Sequence, residues 1–224
     1  MKLIAFWLAA TIVTGESQHA HSSQPIRYAV VGDSYSIGEG ASEKQSWPAL
    51  LARHLTKSGI PVELVSNPSH TGWTTKEAIE HELSPFRAAR PDFGTLMLGV
   101  NDWVQGVNEE TFRTRLGQIM DAMLQALPND KRLLVINIPD FSVTPDGPTY
   151  ARGRDISAGL TKFNRIIAEE AEKRGLRVVD IFPLSQRMRE DRLLVAADGL
   201  HPSAKAYVQW EEFIFPVARE SLGK

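Results

Sequence analysis

Short apolar segments rich in β-branched residues alternate along the chain with longer segments in which apolar residues recur every three or four positions. The short segments are apolar at nearly every position, which is typical of strands buried on both faces. The longer segments have one apolar face, as expected of helices that cover a sheet. Strands are predicted at 27–31, 62–65, 93–98, 133–138 and 178–181. Helices are predicted at 47–57, 75–83, 109–127, 156–173 and 202–222, the last with a break near Pro216.

This alternation of strands and helices predicts an α/β fold with a parallel sheet covered on both sides. Five strands within 224 residues suit a single flavodoxin-like three-layer domain with a five-stranded parallel sheet, spanning residues 25–224. In open sheets of this kind, ligands bind outside the carboxyl ends of the strands. The polar residues that follow each strand are therefore the candidates for function.

The composition is that of an ordinary globular protein, with 42% apolar and 23% charged residues and a formal net charge of −2. The absence of any long basic run removes the electrostatic argument for a nucleic-acid partner. The chain has no cysteine. This excludes a thiol nucleophile, a thiolate metal site and any disulfide.

The first 20 residues have the pattern of a secretory signal peptide. Lys2 precedes an apolar stretch at 3–13, and the small residues Gly15 and Ala20 offer cleavage positions. The stretch is shorter than the roughly twenty apolar residues that span a bilayer, so no stable membrane anchor is expected. We therefore expect an exported protein, periplasmic or secreted. An uncleaved anchor and a misassigned start are the alternatives.

Four segments carry polar residues to the predicted edge of the sheet. Three of them follow the first three strands, and the fourth precedes the last helix. They are Gly-Asp-Ser-Tyr-Ser at 32–36, Asn-Pro-Ser-His-Thr-Gly at 67–72, Gly-Val-Asn-Asp at 99–102 and Asp-Gly-Leu-His-Pro at 198–202.

The chemistry of these segments indicates nucleophilic catalysis by a serine. The Ser34 hydroxyl needs a base to remove its proton, and His201 is the obvious base because histidine titrates near neutrality. Asp198 lies three residues before His201, so one turn can hold a carboxylate against the imidazole. An oxyanion would be stabilised by the Ser34 and Gly72 N–H groups and the Asn101 amide. Losing one such donor typically raises a barrier by about 3–4 kcal/mol.

The same four segments, in this order, resemble the blocks of the SGNH/GDSL hydrolases. The resemblance rests on Gly-Asp-Ser at 32–34, Gly72, Gly-x-Asn-Asp at 99–102 and Asp-x-x-His-Pro at 198–202. It implies Ser34, Gly72, Asn101 and His201 as the four signature residues, with Asp198 completing the triad. It also implies an esterase, lysophospholipase or thioesterase. Two departures are Tyr35, where leucine is usual, and Thr71-Gly72-Trp73 in the second block.

Other residues near these blocks have two interpretations each. Trp73 and Trp103 either form the wall of an acyl or aryl pocket or belong to the core. His70, two residues before Gly72, either faces the pocket or is structural. Gly38 and Gly40 suggest a dinucleotide fingerprint, but Glu43 stands where the third glycine is required.

The leading hypothesis is an exported serine hydrolase that cleaves carboxylic or thio esters through an acyl-serine intermediate. The first alternative is an O-acetylesterase or acyltransferase acting on carbohydrate or peptidoglycan with the same site. A remote alternative is a non-catalytic nucleotide-binding domain. The expected partners are a small acyl ester, a lysophospholipid or an acylated sugar. No cofactor is expected, and no metal, because Asp198 and His201 alone do not supply three or four ligands. The oligomeric state stays open.

Overall fold

The computed structural model describes residues 24–223, and the predicted signal peptide at 1–20 lies outside the described residues. Five parallel strands form one sheet in the order β2-β1-β3-β4-β5, which confirms the predicted α/β fold class. The strands are β1 (Ile26–Gly32), β2 (Val62–Ser66), β3 (Phe93–Met97), β4 (Leu133–Ile136) and β5 (Arg177–Val179). This is the flavodoxin-like strand order.

The strand order places a crevice at the carboxyl end of β1. The chain leaves β1 towards β2 and leaves β3 towards β4, so the two connections diverge at this point. Gly32 pairs with Met97 at the ends of β1 and β3. The loops that carry Ser34 and Asn101 therefore begin side by side.

Nine α-helices and several short turns connect the strands within the described residues. The helices are α1 (Ser34–Ile37), α2 (Trp47–Lys57), α3 (Thr75–Glu77), α4 (Leu83–Ala88), α5 (Val100–Gln105), α6 (Glu109–Ala126), α7 (Ile156–Glu172), α8 (Phe182–Ser185) and α9 (Ala204–Ser221). A π-helical turn, Ala78–Glu82, joins α3 to α4. Short 3₁₀ turns lie at Glu43–Gln45, Asp130–Arg132, Phe141–Val143, Gly147–Tyr150, Gln186–Arg189 and Arg192–Leu194.

The helices form two groups that enclose the sheet. Helices α2 and α9 pack together, while α6 packs against both α4 and α7. Their apolar faces and the strands form one buried core. Within residues 24–223, no helix combines the length and the apolar character needed to cross a membrane.

The final helix differs from the prediction at its start and at Pro216. It starts at Ala204 because Pro202 instead forms an isolated bridge with Val195, and Ser203 caps the helix by accepting the Ala206 N–H. It also continues through Pro216 to Ser221, so the predicted break is wrong. A proline removes one helical hydrogen bond, and packing of the buried residues around it keeps this helix continuous.

The sequence pattern missed two short helices, α1 and α5. Each begins within three residues of the end of a strand and is too short to show helical periodicity. These two helices carry the candidate site residues Ser34 and Asn101. The predicted helix at 75–83 is instead the composite of α3, the π-helical turn and α4, and it extends to Ala88.

Candidate active site

Ser34 is held at the first position of a tight helical turn. Asp33 caps this turn by accepting the Tyr35 N–H at 3.1 Å, and Gly38 ends it in the left-handed conformation with φ +85°. The Ser34 side chain lies in the crevice at the end of β1 and is only 5% exposed. Its N–H has no acceptor among the described residues and lies at a helix N-terminus, where an anion is favoured.

The structure brings Ser34, His201 and Asp198 into one chain of hydrogen bonds. The Ser34 Oγ lies 3.1 Å from the His201 Nε2, although the two residues are 167 positions apart. The His201 Nδ1 lies 2.7 Å from the Asp198 Oδ2. If Asp198 is ionised, it accepts from Nδ1–H and leaves Nε2 as an acceptor for the serine hydroxyl.

Hydrogen bonds within its own turn keep the Asp198 carboxylate ionised and directed at the His201 ring. Asp198 Oδ1 accepts the backbone N–H groups of Leu200 and His201, each at 2.9 Å. Partial burial raises the pKa of this carboxyl. The two backbone N–H groups and the His201 ring outweigh that effect and hold the pKa below its ordinary value.

The loop after α1 packs directly against the turn that carries His201. Gly40, at φ +88°, approaches so closely that a Cβ there would meet Ala196 Cβ at 2.6 Å, Pro202 O at 2.7 Å and His201 Cβ at 3.2 Å. The Tyr207 hydroxyl on α9 donates to Glu39 O at 2.8 Å and ties the same loop to the helix after His201. Gly40 is thus explained by this contact, and Gly38 by its positive φ and the close approach of Ser46, whose Cβ would lie 2.5 Å from a Cβ at position 38.

Asn101 lies across the crevice from His201, on the first turn of α5. Its Nδ2 donates one hydrogen to Trp73 O at 2.9 Å, which orients the amide and leaves the second hydrogen free for a ligand. Gly72 precedes Trp73 with φ +81°, and its N–H has no acceptor among the described residues. Gln105 Nε2 holds the Gly72 carbonyl at 3.0 Å. Two of the predicted oxyanion donors, Gly72 and Asn101, thus lie on segments that are bonded to each other.

Asp102 also links α5 to the chain that follows Gly72. Its carboxylate accepts the Thr75 N–H at 2.9 Å and the Thr75 hydroxyl at 2.5 Å, joining α5 to α3. Burial raises the pKa of Asp102 to about 6, even though both hydrogen bonds from Thr75 lower it. The side chain positions Asn101 and does not reach the crevice itself.

Two further carboxyl groups are buried behind the nucleophile. Glu82, on the π-helical turn, accepts the Gly32 N–H at 2.8 Å. Burial is the main cause that raises the pKa of Asp33 to about 7 and that of Glu82 to about 8. Repulsion from Asp102 contributes to the shift of Asp33, and repulsion from Asp33 contributes to the shift of Glu82. The Asp33 Oδ2 and Glu82 Oε1 have no hydrogen-bond partner among the described residues. At neutral pH the Glu82 carboxyl is therefore mostly protonated.

The cleft beside Ser34 is small, and most of its lining residues are aliphatic or aromatic. Besides Ser34, Asn101 and His201, it is lined by Tyr35, Val100, Val104, Phe141, Tyr150 and Leu200. Neither Trp73 nor Trp103, the predicted pocket residues, is among its lining residues. Trp103 is buried behind Phe141, against Gly159 and under the Arg154 guanidinium at 4.0 Å.

Trp73 and His70 form a stack outside the cleft. The two rings lie 4.8 Å apart, and His70 Nδ1 lies 2.9 Å from Thr71 O. His81 contacts the same indole at 5.2 Å. Of the two interpretations of His70, the structure favours the structural one.

Tyr35, Phe141 and Tyr150 are aromatic lining residues that sequence reasoning missed, as it missed Val104. Tyr35 occupies the position where leucine is usual, and its ring packs against the His201 imidazole at 5.7 Å. Phe141 and Tyr150 belong to the Pro- and Gly-rich segment at 140–154, whose composition indicated only a loop. No sequence pattern shows that these two aromatic residues turn inwards.

No group of three or more His, Asp or Glu side chains suited to hold a metal ion occurs within residues 24–223. The Asp198 and His201 side chains are instead bonded to each other and to Ser34. The chemistry that this arrangement can perform is proton transfer from a hydroxyl to an imidazole, next to N–H donors for an anion.

Comparisons with known proteins agree with this geometry. The model of the GDSL-like Lipase/Acylhydrolase family matches residues 30–208. A comparison with curated proteins finds no significant match.

Among solved structures, the chain is similar to TesA, with a TM-score of 0.70 at 23% identity, covering 87% of this chain and 99% of that one. The chain is also similar to the lipase/acylhydrolase from Enterococcus faecalis, with a TM-score of 0.70 at 19% identity, covering 87% of this chain and 96% of that one. For the family 3 carbohydrate esterase from Clostridium thermocellum, the TM-score is 0.65 at 23% identity, covering 88% of this chain and 98% of that one. At these identities, the likeness shows the fold.

The close approach of Gly40 predicts that Gly40→Ala displaces His201 from Ser34. We expect kcat/KM for p-nitrophenyl acetate to fall by about 10- to 100-fold, because small misplacements of reacting groups are costly. The matched control is Gly59→Ala, since Gly59 has the same φ of +88° and open space around it. Both variants carry a backbone strain of about 1–2 kcal/mol, and only the first touches the site. Equal activity losses in both would contradict the steric explanation.

Glu82→Gln should change how stability depends on pH. The pKa of Glu82 is raised on folding from 4.5 to about 8, so the folded chain keeps a proton that the unfolded chain loses. The free energy of unfolding of the wild type therefore falls as pH rises through this window, and the variant lacks this contribution. We expect urea unfolding to show that the free energy of unfolding of the variant, relative to that of the wild type, rises by about 1–3 kcal/mol between about pH 5 and pH 8.5. A difference independent of pH would show that Glu82 does not titrate as described.

Proposed function

Because the chain belongs to the GDSL-like lipase/acylhydrolase family, we propose that it hydrolyses carboxylic esters or thioesters through an acyl-serine intermediate on Ser34. The observation that carries the proposal is the 3.1 Å contact between Ser34 Oγ and His201 Nε2, with Asp198 bonded to the far side of the ring. A hydroxyl, an imidazole and a carboxylate in this order form the arrangement that activates a serine.

The first half of the proposed reaction acylates the serine. As Ser34 Oγ attacks the carbonyl carbon, His201 Nε2 takes the hydroxyl proton, and the carbonyl oxygen becomes an oxyanion. The intermediate then collapses, and the alcohol or thiol leaves with the proton that His201 returns. Asp198 stays ionised throughout and stabilises the imidazolium. Its lowered pKa suits that role.

The second half regenerates the enzyme. A water molecule enters where the alcohol left, and His201 takes one of its protons while the oxygen attacks the acyl carbon. Collapse of this second intermediate breaks the bond to Ser34 Oγ, which recovers its proton from His201. The carboxylic acid is released, and no atom of the enzyme is consumed.

Three donors are proposed to stabilise the oxyanion: the Ser34 N–H, the Gly72 N–H and the second Nδ2 hydrogen of Asn101. The support is that none of these hydrogens is used by another group among the described residues, while Asn101 is fixed by its bond to Trp73 O. Donors held in place before reaction cost no reorganisation when the charge develops. The Asp102 brace to Thr75 serves this preorganisation.

Export is also part of the proposal, and its support is the sequence of residues 1–20 alone. An enzyme outside the cytoplasm would meet esters of lipids or of cell-surface sugars. The comparisons include a carbohydrate esterase and an acetyl xylan esterase, so an acylated sugar is one candidate substrate. The proposal at this level names the bond cleaved and leaves the alcohol open.

Ser34→Ala tests the proposal. Removing the nucleophile should lower kcat for p-nitrophenyl acetate by at least about 10⁴-fold, because loss of a triad serine removes the covalent route. The melting temperature should change little, since the only side-chain hydrogen bond of Ser34 within residues 24–223 is the one to His201. Hydrolysis rates and thermal unfolding of both proteins give the result.

Ser36→Ala is the matched control for this experiment. It removes a hydroxyl two residues away in the same buried turn, and the Ser36 Oγ has no hydrogen-bond partner among the described residues. We expect this variant to keep turnover close to that of the wild type. Turnover by Ser34→Ala at the level of Ser36→Ala would remove Ser34 from the mechanism.

A further inference from the structure

The cleft beside Ser34 has a volume of only about 50 Å³. Pockets that enclose a whole drug-sized ligand usually have about 300–1,000 Å³. A single water needs about 10–15 Å³ of such space, so this cleft holds a few groups of that size. The part of an ester that fits beside the nucleophile is therefore short, and the rest must lie outside.

Two aromatic rings form the wall of the cleft opposite the site residues. Phe141 is buried, and Tyr150 meets it edge to face at 6.2 Å while remaining 39% exposed. Trp103 lies behind Phe141 at 6.1 Å. Phe141 therefore cannot retreat into the core, and Tyr150 is the ring at the border with solvent.

Hydrogen bonds to a buried carboxylate hold the start of this wall in place. Asp140 is fully buried and accepts from Ser142 N at 3.0 Å, Ser157 Oγ at 2.8 Å and Gln186 Nε2 at 3.0 Å. Its own N–H donates to Ser185 Oγ at 2.8 Å. Phe141 thus follows a residue anchored to α7 and α8.

The rest of the loop that carries these two rings is held in place by hydrogen bonds from Asp146 and Arg154. The Asp146 N–H donates to Gly199 O at 2.9 Å, next to the turn that carries His201. Arg154 donates to Trp103 O at 2.7 Å and to Val104 O at 3.0 Å. The wall is thus bonded to both sides of the cleft, and widening it would break several hydrogen bonds, most of them partly buried.

From this geometry we infer that the enzyme is selective for short acyl groups of up to about four carbons, with Phe141 and Tyr150 as the residues that set the limit. The inference rests on the proposed function, because it assigns the acyl side of the ester to this cleft. The acyl carbon bonded to Ser34 Oγ has its substituent between Val100, Val104 and the two rings. A longer chain meets Phe141 and Tyr150. The preferred substrates are acetyl and similarly short esters, whatever alcohol they carry.

The test compares p-nitrophenyl acetate, butyrate and octanoate on the wild type and on Tyr150→Ala. We expect the wild-type kcat/KM for acetate to exceed that for octanoate by at least about 30-fold, since a few methylenes without space are strongly rejected. Tyr150→Ala removes the outer ring and should raise the octanoate-to-acetate ratio at least about tenfold. Tyr150→Phe retains the ring and should keep the octanoate-to-acetate ratio of the wild type.

Phe213→Ala is the control for loss of an exposed aromatic ring. Phe213 lies on α9, is 49% exposed and does not line the cleft, so its loss should leave the ratio unchanged. Octanoate turnover equal to or above acetate turnover in the wild type would overturn the inference and leave the proposed function standing. An unchanged ratio in Tyr150→Ala would overturn the role of that ring. Absence of any turnover that depends on Ser34 would instead contradict the proposed function.

Discussion

The hydrogen bond between Ser34 Oγ and His201 Nε2 is the contact on which the site depends. It joins the end of a central strand to a turn near the end of the chain, so it exists only if the whole sheet is assembled. The parallel order places β1 beside the crevice, and the close approach of Gly40 sets the distance from that side. Asp198 then fixes the ring. A site made of distant segments needs a rigid fold around it.

That rigidity is obtained by burying acidic groups behind the crevice. Asp33, Glu82 and Asp102 each accept a backbone N–H close to a residue of the site, and burial raises the pKa of all three. Buried carboxyls cost free energy unless they are hydrogen-bonded. These carboxyls lie against α5 and the turn that carries Ser34. We infer that their burial lowers the stability of the fold locally and in return fixes the directions of the N–H groups that they accept. Asp198, at the surface, has the opposite shift and remains charged.

The sequence was sufficient for the sheet and for the residues with local signals. Apolar strands and their polar exits identified Ser34 and Asn101 as candidates, because topology alone brings strand ends together. His201 was identified with Asp198 from their spacing in the segment before the last helix. The cleft wall could not be predicted, because Phe141 turns inwards only through hydrogen bonds that Asp140 makes to distant helices. Trp103 follows the third block directly, yet the turn of α5 directs it to the core. Nearness in sequence to a site residue does not determine which face a side chain takes.

The central claim, that the Ser34 hydroxyl is the nucleophile, is tested most directly by covalent labelling. An organophosphonate ester that carries a p-nitrophenolate leaving group should react once per chain, and peptide mass spectrometry should locate the adduct on Ser34. Loss of esterase activity should follow the extent of labelling. Full inactivation with the adduct on another residue, or turnover that persists after complete labelling of Ser34, would contradict the account.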